Sequence, residues 1–176
     1  MMKNINWDLA HLAHVELLTP KLDESIRFFS EIMGMYITEV QGDSAYLRAY
    51  DDYEHHTLKL TAHKHSGMGH FAWRTRSQEA LEDRVKAIEK TGHGIGWADH
   101  ECGYGKAYEF RYPDGQKCEL YFDTNKYRAE GEMKSALKNT ASKFPGKGMN
   151  VRRIDHLNLL AKDLVGFADF QFNVVG

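Results

Sequence analysis

Three stretches of this chain share one plan, and a chain that repeats itself in this way is constrained to fold as copies of one unit. They are AHVELLTPKLDESIRFFSEIMG (13–34), GHFAWRTRSQEALEDRVKAIEKTG (69–92) and DHLNLLAKDLVGFADFQFNVVG (155–176). Each opens on a small or acidic residue and a histidine, then runs through strand-like residues to a polar break. Each continues as an amphipathic stretch that closes on glycine.

In the first copy Ile26, Phe29, Ile32 and Met33 recur at helical spacing, and Gly34 stands where a left-handed C-terminal residue is wanted. In the second, Ser77 is placed to cap a helix whose apolar stripe is Leu81, Val85 and Ile88, ending at Gly92. Three strand-like runs follow each helix: 35–40, 44–50 and 56–62, then 94–99, 106–112 and 117–122. Turn chemistry separates them, QGD at 41–43 and PDG at 113–115 being the clearest. The chain is therefore expected to be α+β, with two β-α-β-β-β modules at 11–66 and 67–123 forming one domain over 1–123. Residues 124–150 read as a polar connector with a candidate helix, and 151–176 as the start of a second such domain, cut short after one strand and one helix. With their covering sheet absent, Phe167, Phe170, Phe172, Val174 and Val175 are expected to leave 155–176 poorly anchored, and proteolysis is expected first between Asp123 and Asp155.

Charge narrows the function classes. The 176 residues carry 23 basic and 25 acidic side chains, a formal net charge of −2, so no long basic surface is offered to nucleic acid. No apolar run approaches the roughly 18 residues that span a bilayer, and MMKNINWDLAHLAH lacks a signal-peptide core, which points to the cytoplasm and away from a membrane. Two cysteines, Cys102 and Cys118, without CxxC spacing, fit a reducing compartment.

Ten histidines are the compositional signal that remains, and the repeat puts three of them, His14, His70 and His156, at one structural position. If the two module-opening strands of the complete domain lie side by side, His14 and His70 converge. Glu119, flanked by Cys118 and Leu120 in the last strand of the second module, is a carboxylate that is costly to bury without a partner. Two imidazoles and one carboxylate suit Fe(II), and Zn(II) or Mn(II) take similar ligands. The competing reading is that His14 and His70 are hydrogen-bonded structural histidines. His55 and His56 at a strand entry read singly as solvated or turn-capping groups, His63, His65 and His93 as loop residues, and His100 in DHECGYGKA as a loop histidine within reach of a cleft.

These features resemble the vicinal-oxygen-chelate (VOC) superfamily of glyoxalases, bleomycin-resistance proteins and dioxygenases, whose paired β-α-β-β-β modules form a cup around a metal. More narrowly, AHVELLTPKLDESIRFF, SAYLRAYDDYEHHTLKLT, GHFAWRT, YPDGQKCELYFD and RRIDHLNLLAKD resemble the N-terminal part of the two-domain extradiol dioxygenases of the catechol 2,3-dioxygenase type. The resemblance implies ring cleavage of a catechol-type aromatic diol by O2 to a muconic semialdehyde, with Fe(II), or alternatively Mn(II) or Zn(II), in a homo-oligomer. It places the iron in the C-terminal domain, where His156 matches the first ligand, while the second histidine and the glutamate would lie beyond Gly176. The N-terminal copy keeps the ligand pattern as His14, His70 and Glu119. His56, or its neighbour His55, falls at the acid-base histidine and His100 at the substrate-orienting one, whereas Glu109 stands where a tyrosine contacts substrate. The alternatives are a metal-free structural domain and a glyoxalase-like or drug-binding protein of the same fold.

Overall fold

The structure is a computed structural model that describes residues 7–100 and 102–176. Residues 1–6, which belong to the stretch read as lacking a signal-peptide core, and Glu101 of the DHECGYGKA loop lie outside the described residues. The chain divides into two compact units. One comprises Ala13–Gly69 and Thr124–Asp155; the other comprises His70–Asp123, His156–Gly176 and the described residues up to Leu12.

The protein is α+β, and its two modules repeat one topology. In the first, β1 (Leu9–Thr19), α1 (Leu22–Arg27), β2 (Tyr36–Gln41), β3 (Ser44–Arg48) and β4 (Leu58–Ala62) give the strand order β2-β3-β4-β1. The β1–β4 ladder is parallel, with Val15 opposite Leu58 and Glu16 opposite Lys59, and the other ladders are antiparallel. In the second, β5 (Gly67–Thr75), α2 (Gln78–Glu89), β6 (Gly94–Asp99), β7 (Lys106–Arg111) and β8 (Lys117–Tyr121) give the order β5-β8-β7-β6. Again the crossover pair, β5 and β8, is parallel, placing Ala72 opposite Glu119.

The helix signals act locally as the residues dictate. The Ser77 side chain accepts a hydrogen bond from the Ala80 amide at 3.1 Å, and Ala80, Leu81, Val85 and Ile88 form the buried stripe of α2. The helix closes at Gly92, whose φ of 75° is the left-handed conformation that glycine adopts at low cost. Helix α1 instead ends in a π-helical turn, Phe28–Ile32, with the Met33 amide bonded to the Phe28 carbonyl at 3.0 Å. Gly34 follows at φ 78°, and a Cβ there would lie 2.2 Å from the Lys147 carbonyl oxygen, so no larger residue fits.

One core forms where α1 covers its own strands. Met35, Ala45, Leu47, Ala49, Leu58 and Leu60 are buried there, joined by Leu22, Ile26, Phe29 and Met33 from the helix region. Residues 124–155 lie on this unit and contain no α-helix; their one helical element is a single 3-10 turn at Gly131–Met133. The Val151 side chain joins the core, and Val151 and Arg152 carbonyls accept from the Tyr50 and Asp51 amides at 3.2 and 3.0 Å. Buried Asp51 accepts 2.7 Å bonds from both Arg152 and Arg153 and a 2.8 Å bond from the Ala141 amide. Burial alone would raise the Asp51 carboxyl, and these donors outweigh it, holding the group below the usual carboxylate range.

The expectation that 155–176 hangs loosely is corrected. Residues 155–161 carry no strand, but α3 (Leu164–Phe170) and the π-helical turn Gln171–Val175 pack on the second-module unit. Phe167 stacks on Tyr112 at 4.7 Å, Phe170 meets Tyr112 and Phe110 at 5.3 and 6.2 Å, and Val175 is fully buried. Arg84 on α2 donates to the Val174 carbonyl at 3.3 Å. Tyr112 is thus the common partner of Phe167 and Phe170. Phe172, 74% exposed, is the one that stays outside. This third helix ends as the first does, in a π-helical turn running into a positive-φ glycine, Gly176.

Candidate functional site

In a strand, alternate side chains share a face, so the HxE of β1 sends His14 and Glu16 one way and Val15 and Leu17 the other. His14 is fully buried. Its ring lies 4.7 Å from that of His56, itself 4.8 Å from the Tyr46 ring. His55 and His56 share a hydrogen bond between their Nδ1 atoms at 3.1 Å, which requires one Nδ1 to carry the hydrogen and the other to accept it. His55 also lies 3.5 Å from Glu39; burial holds its imidazole below the ordinary range against the upward pull of that carboxylate. The first module thus brings His14, His55 and His56 into one cluster.

Glu16 is occupied within the same module. Its Oε1 accepts from Thr61 at 2.6 Å and pairs with Lys59 at 2.9 Å. The two parallel ladders expose a chemical asymmetry between the copies. Glu16, two residues past His14, faces Lys59, while Ala72, two residues past His70, faces Glu119. One copy holds its own counter-ion where the other presents a carboxylate.

In the second module His70 and Glu119 are both buried, and His70 Nε2 lies 3.5 Å from Glu119 Oε1. Glu119 Oε2 accepts a 2.9 Å hydrogen bond from the Tyr104 hydroxyl and lies 3.6 Å from His100 Nε2. Tyr104 stands in a ring stack, with His100 at 4.6 Å on one side and Tyr121 at 4.5 Å on the other. Glu109 lies directly across the β7–β8 ladder from Glu119, and its charge is met by Lys117 at 2.8 Å. His100, Glu109 and Glu119 each bring one ligand-type atom within 4.8 Å of the others. The β8 strand alternates as its sequence requires, since Cys118 and Leu120 on either side of Glu119 are fully buried. Burial also keeps the Cys118 thiol protonated, its pKa well above the ordinary value.

Within the unit containing Ala13–Gly69 the structure brings His14 together with His56, and within the unit containing His70–Asp123 it brings His70 and His100 to Glu119. His156 is exposed, on residues without regular structure. Tyr104 went unnoticed in sequence because a glycine-flanked loop has no periodicity to mark it. Glu16 did carry a signal, its two-residue offset from His14.

The sequence model of the Glyoxalase/Bleomycin resistance protein/Dioxygenase superfamily matches residues 11–120. A metapyrocatechase of Geobacillus stearothermophilus is 46% identical over 179 aligned residues, covering 100% of this chain and 55% of that protein. A manganese-dependent 2,3-dihydroxybiphenyl 1,2-dioxygenase of Geobacillus genomosp. 3 is 40% identical, covering 86% of this chain and 49% of that one. The chain thus spans about half the length of these curated relatives. Among solved structures, the 2,3-dioxygenase LapB from Pseudomonas sp. KL28 superposes with a TM-score of 0.81 at 18% identity, over 96% of this chain and 59% of that chain, a likeness of fold. No helix among the described residues is long and apolar enough to cross a membrane.

Proposed function

Because the chain belongs to the Glyoxalase/Bleomycin resistance protein/Dioxygenase superfamily, we propose that it serves extradiol ring cleavage, acting with O2 on a catechol-type aromatic diol. The observation that carries this reading is Glu119, a carboxylate 1% exposed with an imidazole nitrogen facing each of its oxygens. Such a group is costly to bury unless a cation or strong donors meet it.

The donor chemistry fits a divalent metal. His14, His70 and Glu119 would supply two neutral imidazoles and one oxygen, a set suited to Fe(II) and also accepted by Mn(II) or Zn(II). Bound there, the metal would supply Lewis acidity that eases ionisation of a diol hydroxyl. The chain's own residues would do the rest. His56, whose Nδ1 is engaged by His55, would exchange a proton with a diol oxygen through Nε2. His100, held against the Tyr104 ring, would hydrogen-bond the diol from its loop. Glu109, neutralised by Lys117, would lose much of its repulsion toward an ionised diol. Residues 1–123 would form the working domain, 124–150 a connector, and 151–176 the beginning of a second domain to which His156 gives a ligand. The chain would work in the cytoplasm as a homo-oligomer.

A second reading, a metal-free packing domain, is favoured by one feature: Tyr104 and either imidazole, once protonated, satisfy Glu119 without any metal. Anaerobic loading with Fe(II), metal analysis and oxygen uptake with catechol separate the two. Stoichiometric metal with oxygen consumption and a yellow ring-cleavage product is the expected result. A folded chain that retains no metal would overturn the dioxygenase assignment in favour of the packing domain.

A further inference from the structure

Glu119 divides its two oxygens between different tasks. Oε1 is the atom nearer His70, at 3.5 Å, while Oε2 accepts the Tyr104 hydroxyl at 2.9 Å in a buried hydrogen bond. Tyr104 is itself a poor candidate for movement, since its ring is clamped between His100 and Tyr121 at 4.6 and 4.5 Å. A hydroxyl fixed by its ring fixes in turn the carboxylate that accepts from it.

We propose that Tyr104 is a positioning residue for the metal centre: it secures Glu119 through Oε2 so that the carboxylate meets a divalent cation through Oε1 alone. The inference rests on the metal reading above and adds a residue outside its ligand set. Partners of this kind, which orient a ligand and set its basicity, typically change metal affinity by about 10–100-fold when removed. Tyr104→Phe keeps the ring stack and deletes only the hydroxyl, so it isolates the hydrogen bond from the packing.

The test is Mn(II) binding to the full chain, followed by calorimetry and by the electron paramagnetic resonance of the bound ion. Y104F is expected to bind Mn(II) about tenfold more weakly. Its bound-ion spectrum should also differ from the parent's, because Glu119 is released to offer both oxygens. The metal-free melting temperature is a separate readout of the fold and should fall modestly, because a buried donor to Glu119 is lost, while the variant stays folded at the temperature of the binding measurement. Placing p-aminophenylalanine at position 104, which restores a donor at the same ring position, should bring affinity back to within threefold. That variant also decides the matter if Y104F does not fold, since a tenfold loss with the para donor in place would overturn the proposal. If the parent chain binds Mn(II) and Y104F binds it equally well with an unchanged spectrum, the role of Tyr104 is refuted and the metal reading stands. If the parent chain binds no Mn(II), the metal reading itself fails and takes this inference with it.

Discussion

The guanidinium carbon of Arg48 lies 3.4 Å from the centre of the Tyr127 ring. Arg48 is buried at the end of β3, where it donates to the Ala49 and Asp52 carbonyls, both at 3.1 Å, and desolvation lowers its pKa. Tyr127 comes from the segment that follows the second module, and its amide donates to the Tyr53 carbonyl at 2.7 Å. A cation desolvated against an aromatic face gains about 2 kcal/mol. Tyr127→Ala is therefore expected to lower stability by about 1–3 kcal/mol, and to make residues 124–155 the first site of limited proteolysis. Chemical denaturation and cleavage mapping check this.

Asp51 carries a pH dependence of definite sign. Its folded-state pKa lies below the ordinary carboxylate value of about 3.9. Its contribution is therefore complete above that value and disappears as the pH falls through the lower folded value. Melting temperatures of the parent chain and Asp51→Asn, measured from pH 6 down to pH 2.5, should converge at the acid end. At neutral pH the variant, which loses charged hydrogen bonds to Arg152 and Arg153, should be weaker by about 1.5–3 kcal/mol.

His55 works over a different range. Burial depresses its pKa, so the folded chain resists protonation that the unfolded chain accepts near pH 6.5. Stability attributable to this residue is present above that pH and declines as the pH falls below it, levelling off once the folded-state value is passed. Urea midpoints at pH 7.5 and 5.5 should fall less in His55→Gln than in the parent. An equal fall in both would remove His55 as the cause.

At the other end of the chain, Phe170 closes an aromatic cluster with Tyr112, Phe110 and His93. Phe170→Ala is expected to cost about 3–5 kcal/mol, the usual penalty for emptying a buried phenylalanine position. Phe172→Ala, on an exposed side chain two residues away, should cost under about 0.5 kcal/mol. Comparison of the two by thermal unfolding tests whether the segment is docked or merely near.

What sequence made legible was whatever a few consecutive residues decide. Ser77 caps, Gly34 and Gly92 terminate, and β8 alternates around Glu119 because each follows from local geometry and from the repeat. The partners of those groups were hidden. Nothing near Asp51 announces Arg152, 101 residues on, and the parallel pairing of Glu16 with Lys59 joins strands that are not consecutive. The docking of residues 164–175 was misread for a related reason. Counting apolar residues shows that a face needs cover, while the cover itself, Tyr112, stands in another repeat.

The Lys59–Glu16 pair gives the internal duplication a polarity. At matching register points one strand carries an ammonium, already paired with Glu16, and the sister strand carries the Glu119 oxyanion, so the two halves share a backbone plan but differ in sign of charge.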